Sequence, residues 1–171
     1  MRNPQRYFSK VVDSPVGQLT LVASERGLAA ILWENDNPRR VPLGEVSESG
    51  DHPVLLETER QLREYFAGQR KEFALPMDFR GTEFQRKVWH ALLAIPFGQT
   101  RSYAQIAAQI GCPAAVRAVG AANGRNPLSI IAPCHRVVGS NGKLTGFAGG
   151  LEAKAKLLSL EDAQKVLRTC S

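Results

Sequence analysis

Apolar and polar positions divide the chain into a strand-patterned first third and a helix-patterned remainder. Tyr7–Asp13 and Gln18–Ala23 read as strands joined by Ser14-Pro15-Val16-Gly17, where proline and glycine suit a hairpin turn. Gly27–Trp33 is a further apolar run, so the three segments predict a meander. Glu34–Gly50, rich in Asn, Pro, Arg, Ser and Gly, predicts a surface loop. A helix follows, with Asp51 as the expected N-cap and Pro53 in its first turn; Leu55, Leu62, Tyr65 and Phe66 share one face and Gly68 ends it. Glu72–Leu75 predicts a short strand returning to the sheet. Composition, charge and period all change across Pro76–Gly81, which predicts two domains, 1–81 and 82–171.

The second part reads as mostly helical. Thr82-Glu-Phe-Gln85 fits a capping box, and Phe84, Val88, Leu92 and Ile95 recur at helical spacing behind it. A second helix begins near Ser102 and runs through Tyr103–Ile110. Gly111-Cys112-Pro113 breaks it, and Ala114–Ala122 forms a third. Two helices joined by a three-residue turn containing glycine make a helix-turn-helix pattern, although a hairpin of helices packed in a core has the same signature. The third helix is nearly all Ala, Gly and Val apart from Arg117, so its backbone can approach a partner closely.

Charge favours a nucleic-acid partner. Residues 1–81 hold 11 Lys+Arg against 12 Asp+Glu, and residues 82–171 hold 11 against 4. No acidic residue occurs between Phe84 and Leu151, while Arg86, Lys87, Arg101, Arg117, Arg125, Arg136 and Lys143 do. Such a field attracts phosphate backbones; a merely solvated basic face is the alternative. Apolar residues make up 43% of the 171 positions, no window reaches the length of a membrane span, and Met1–Phe8 has no apolar core of a signal peptide. These features predict a globular, cytoplasmic protein. Three cysteines, Cys112, Cys134 and Cys170, without Cys-x-x-Cys spacing argue against a disulfide framework and a zinc cluster.

The candidate chemistry lies in Ile131-Ala-Pro-Cys-His-Arg-Val-Val138, expected as an apolar strand ending at the Pro-Cys-His step. The thiolate is the competent nucleophile, and a cysteine with pKa near ~8.5 needs a basic or cationic neighbour to form it. His135 is the nearest; a lone buried cysteine can equally be a small core hydrophobe. Glycines crowd Gly139–Gly142 and Gly146–Gly150, a turn and then a loop suited to close approach by a ligand. No phosphate-binding Gly-Lys-Ser/Thr sequence occurs. A closing helix, Leu151–Leu160, is expected to end at Glu161-Asp162, with Glu161 facing solvent on sequence grounds.

Asn126-Pro127, Pro133-Cys-His-Arg-Val137, Gly146-Phe-Ala-Gly-Gly150, Ser102-Tyr103 and Arg117-Ala-Val-Gly120 together resemble the O6-alkylguanine-DNA alkyltransferases. The resemblance is strong over 82–161; before that it is a loose likeness to the family's ribonuclease-H-like N-terminal domain. It implies an α+β fold and a single-turnover transfer of the O6 alkyl group of guanine, with O4 of alkylthymine a further candidate, to Cys134. His135 would take the thiol proton through a water, Glu161 would hold the imidazole, and Asn126 would brace the turn. Tyr103, Val137, Phe147 and Ala148 would line the base pocket, Tyr103 also crowding the phosphate and donating toward guanine N3. Arg117 would fill the stack left by the flipped base, and Ala118, Ala121 and Arg125 would meet the minor groove of double-stranded DNA. The resemblance implies no cofactor, no metal and no obligate protein partner, hence a monomer.

Two positions depart from the family pattern: Ala132 replaces Ile or Val, and Phe147 replaces a frequent tyrosine and loses its hydroxyl. Two other classes of function stay open on sequence grounds, a non-catalytic helix-turn-helix lesion sensor or regulator, and a thiol hydrolase or redox enzyme built on Cys134 and His135. Label from a marked methyl group on the protein identifies the transferase; multiple turnovers without DNA identify the hydrolase.

Overall fold

The computed structural model describes residues 5–169, with side chains as far as Asp162; Met1–Pro4 and Cys170 lie outside the described residues. The chain forms two compact units, divided between Arg80 and Gly81.

In the first unit β1 (Tyr7–Val12), β2 (Leu19–Ser24) and β3 (Gly27–Trp33) form the expected antiparallel meander, with Val12 opposite Leu19 and Leu19 opposite Trp33. The hairpin turn is closed by Ser14, whose hydroxyl donates to the Gly17 carbonyl. A short strand that the loop-like composition concealed, β4 (Val46–Glu48), lies parallel to β1, giving the order β3-β2-β1-β4. All three of its side chains are exposed, so no apolar alternation marked it. The loop before it is not wholly at the surface either, because Val41 and Leu43 pack on a cluster of Tyr7, Val22, Ala29 and Ala30.

Helix α1 (Pro53–Phe66) packs on the sheet through Leu55, Leu62 and Tyr65. Its cap is His52 rather than the expected Asp51: Pro53 occupies the first helical position, and the His52 ring accepts from the Val54 amide at 3.2 Å. Gly68, at φ 77°, turns the chain out of the helix. The expected strand at Glu72–Leu75 does not form. The Gln61 side chain takes both backbone groups of Ala74, accepting from its amide at 2.9 Å and donating to its carbonyl at 3.0 Å. Backbone pairing with the sheet comes later, at one bridge, Leu28 donating to the Pro76 carbonyl and accepting from the Asp78 amide, both at 2.8 Å. Gly27 permits this approach, since a Cβ there would sit 2.6 Å from the Pro76 carbonyl oxygen.

The second unit holds helices α2 (Glu83–Leu93), α3 (Tyr103–Gln109), α4 (Val116–Gly124) and α5 (Leu151–Thr169), with a two-stranded parallel pair, β5 (Arg101–Ser102) and β6 (Val137–Val138). The fold is therefore mixed α+β. Both α2 and α3 open on full capping boxes, Thr82 with Gln85 and Ser102 with Gln105. Trp89 ties α2 to α4, donating its indole N–H to the buried Ala122 carbonyl at 2.8 Å.

Two expectations about this unit are corrected. No strand leads into the cysteine: the chain from Asn126 to Pro133 is a series of buried turns, with Ala132 N–H bonded to the Leu128 carbonyl and Ile130 at φ 76°. Its apolar run mimics a buried strand because the turns themselves are in the core. Nor does the last helix stop at Leu160; α5 runs through Glu161 to Thr169, since nothing in Glu161-Asp162-Ala163-Gln164 breaks a helix.

Candidate active site

Cys134 opens a single turn of 3-10 helix, Cys134–Arg136, between the buried turns and β6. Pro133 carries the chain into it, and the Cys134 amide donates to the Ala132 carbonyl at 2.7 Å. Asn126 braces the approach: its amide nitrogen donates to the Ala132 carbonyl at 2.7 Å, and its oxygen accepts from the Leu128 amide at 3.1 Å. Because Asn126 is itself buried, these bonds have no water to compete with them. Cys134, His135, Arg136 and Val137 are all buried.

Glu161 reaches the turn from α5. Its carboxylate accepts from His135 Nε2 at 2.8 Å, and from Arg136 Nε and Nη2 at 2.9 Å each. Burial works to raise the Glu161 pKa, but the hydrogen bonds from His135 and Arg136 and the guanidinium charge outweigh it and hold the group down at about 2. The expected solvent-facing Glu161 is thus corrected: the residue is buried, held there by His135 and the Arg136 guanidinium, which follow Cys134 in sequence. Arg136 is fixed in turn, donating to the Ile95 carbonyl at 2.7 Å with its guanidinium 5.6 Å from the Phe97 ring centre.

This network sets the state of His135. Desolvation lowers its pKa, against the opposing pull of Glu161, so the ring is neutral at pH 7. An ionised carboxylate can only accept, so Nε2 carries the ring proton and Nδ1 is left with its lone pair. Buried Nδ1 has no hydrogen-bond partner among the described residues. A neutral imidazole, locked in one tautomer with a basic nitrogen beside a cysteine, is the arrangement a thiol needs in order to lose its proton.

The other residues expected at the site divide into two groups. Tyr103, half-buried at the start of α3, shares a 2.5 Å hydrogen bond with the Thr145 hydroxyl, which places the glycine loop against α3. Phe147 and Ala148, also half-buried, lie in that loop, closed by the Gly150 amide on the Phe147 carbonyl at 2.9 Å. Arg117, Ala118, Ala121 and Arg125 are exposed along and just beyond α4, while Val119 and Ala122 face inward. Helical spacing puts the four exposed positions on one outer face. Cys112 and Cys134 form no disulfide.

Three residues that sequence reasoning passed over belong to the site. Arg136 grips Glu161, Thr145 meets Tyr103, and Lys154 of α5 is buried, donating to the carbonyls of Val137 at 2.6 Å and Thr145 at 3.2 Å. Lys154 and Glu161 had a signal: both lie in phase with Leu157 on the inward stripe of α5.

Comparison with known proteins accords with this geometry. Residues 83–163 match the family described as 6-O-methylguanine DNA methyltransferase, DNA binding domain, and residues 7–79 match its ribonuclease-like domain. The chain belongs to the 6-O-methylguanine DNA methyltransferase family. Relatives within it include the methylated-DNA--protein-cysteine methyltransferase of Mycolicibacterium paratuberculosis, 48% identical over 89% of this chain and 90% of that one. The constitutive methyltransferase of Bacillus subtilis is also 48% identical, over 90% of this chain and 94% of its own. The crystal structure of Mycobacterium tuberculosis OGT in complex with DNA superposes with a TM-score of 0.83 at 46% identity, covering 93% of this chain and 94% of that chain.

Proposed function

We propose that this methyltransferase repairs DNA by direct reversal, taking the alkyl group from O6 of guanine onto Cys134 in one irreversible step. The observation that carries the reading is the buried Glu161–His135 contact next to Cys134, which leaves Nδ1 as a base in a protein of this family. His135 Nδ1 accepts the thiol proton through a water. The sulfur lone pair forms the S–C bond as the C–O6 bond breaks, its electrons passing to the guanine ring, which takes up a proton as it leaves. The thioether formed is a poor leaving group, and among the described residues no second nucleophile stands ready to release it, so each molecule acts once.

A thiol cannot reach O6 inside a stacked duplex, so the base is flipped into the space beside Tyr103, Val137, Phe147 and Ala148. The outer face of α4, with Ala118 and Ala121 flanked by Arg117 and Arg125, suits close approach to a minor groove, and Arg117 fills the stack behind the flipped base. Tyr103 donates toward guanine N3 as charge develops. The protein acts as a monomer in the cytoplasm; among the described residues no helix is long and apolar enough to cross a membrane.

The test is stoichiometric. With excess duplex carrying a labelled O6-methyl group, transfer should stop at one methyl per protein, all of it on the peptide containing Cys134. Label elsewhere, or turnover beyond one equivalent, overturns the reading; binding without any label would identify a lesion sensor instead.

A further inference from the structure

Lys154 is an ammonium in a place that ordinarily excludes one. It is fully buried, 0% exposed, on the inward face of α5. Two of its three protons go to backbone carbonyls, Val137 at 2.6 Å and Thr145 at 3.2 Å. Among the described residues no ion pair joins it to a carboxylate. Glu161, two helical turns further along the same face, has both oxygens taken by His135 and Arg136. An isolated buried charge is costly, and a well-packed neutral residue would serve the carbonyls' neighbours at less expense in desolvation. A lysine retained there points to an anion that forms only during the work of the protein.

The titratable groups gathered at the turn are few. His135 and Arg136 come from the turn itself, Glu161 and Lys154 from α5, Tyr103 from α3, and Cys134 is the remaining member. His135 is neutral and Arg136 is matched by Glu161, so among the described residues at the turn Cys134, on losing its proton, is the group left to supply an anion. The bonded carbonyls also tie together the parts that must act in concert. Val137 follows the Cys134 turn, Thr145 begins the loop bearing Phe147, and the Thr145 hydroxyl meets Tyr103 at 2.5 Å.

We propose that Lys154 is a positioning residue of the acceptor site: its ammonium, clamped between the Val137 and Thr145 carbonyls, fixes the cysteine turn against the base-pocket loop and is the counter-charge for the Cys134 thiolate. The Lys154 pKa behaves accordingly, lowered by desolvation and raised in opposition by Cys134. Alkyl transfer turns the sulfur into a neutral thioether, so it leaves this buried cation without its partner whatever the size of the alkyl group.

The inference rests on Cys134 being the acceptor, and the two can fail separately. The experiment uses the full chain and iodoacetamide, with the modified Cys134 peptide quantified by mass spectrometry between pH 5 and 10. In Lys154→Met the inflection of the rate should move up by about one pH unit or more, lowering the rate at pH 7 about tenfold while the plateau at high pH stays within about threefold of the parent. Lys154→Arg, which keeps the charge, should hold the parent inflection. An unmoved inflection in folded Lys154→Met overturns the proposal while leaving Cys134 as acceptor; methyl label on another cysteine overturns the acceptor reading itself. Should Lys154→Met not fold, the parent protein gives the reciprocal measurement. Methylating Cys134 must lower the Lys154 titration, read by NMR of its side chain, and an unchanged titration sinks the counter-charge role.

Discussion

At the scale of single residues the site is a set of buried polar groups that hold one another in a defined charge state. Cys134→Ser should abolish alkyl transfer and leave affinity for duplex within about threefold, because DNA contacts rest on other side chains; transfer assays paired with binding titrations check both halves. Asn126→Ala strips the Leu128 amide of its partner in a buried turn. It should cost about 1–3 kcal/mol in urea unfolding and slow transfer as well, since the turn it braces leads directly to Cys134. The charge network also gives the protein an acid-sensitive fold. Glu161, held at about 2 against an ordinary 4.5, contributes stability above pH 4.5 that is lost as pH falls toward 2. His135, with its pKa lowered from 6.5, makes the fold weaken as pH drops below 6.5, where the unfolded imidazole charges and the buried one resists. The Glu161 contribution is on the order of 3 kcal/mol. Unfolding midpoints at pH 7.5, 5.5 and 4 should therefore decline in two stages.

Among the elements, those read from the sequence were the ones whose residues state their own boundaries. The α2 capping box, the hairpin turn closed by Ser14 and the strand-like runs of β1 and β2 are local signals, and the structure keeps them. Those misread depended on distant partners. Residues 72–75 form no strand, and the backbone groups of Ala74 are instead taken by Gln61, 13 residues away. The run before Cys134 is apolar because it is buried on all sides, and burial alone does not distinguish turns from a strand. For the same reason Cys134 and His135 were legible as a local pair, whereas Glu161 was reached only through the family resemblance and Lys154, in phase with it on α5, was passed over. Trp89 illustrates how such elements are joined. Trp89→Phe should cost about 1–3 kcal/mol by removing its hydrogen bond to Ala122 and part of the packing between α2 and α4. Because α4 bears the proposed DNA face, the same variant should weaken duplex binding while leaving the reaction with free O6-methylguanine less affected.

For the whole molecule, the uneven distribution of charge predicts how it meets DNA. The acid-free span from Phe84 to Leu151 should make affinity fall steeply with salt, and if Arg125 meets a phosphate as proposed, Arg125→Ala should reduce the magnitude of the log–log slope by about 0.9. Arg117→Ala should act differently, slowing repair in duplex more than reaction with the free base, as expected of a side chain that stabilises an extruded nucleotide; equal losses on both substrates would remove that role. The path of α5 has a further consequence, one of timing. A growing chain makes Cys134 before Lys154 and Glu161, so in the proposed mechanism the acceptor thiol exists for a while without its base-orienting carboxylate or its counter-charge. On the proposed one-turnover mechanism this order is useful: a chain ending before α5 should carry an inert thiol, and the single reaction is kept until that helix has closed behind Cys134.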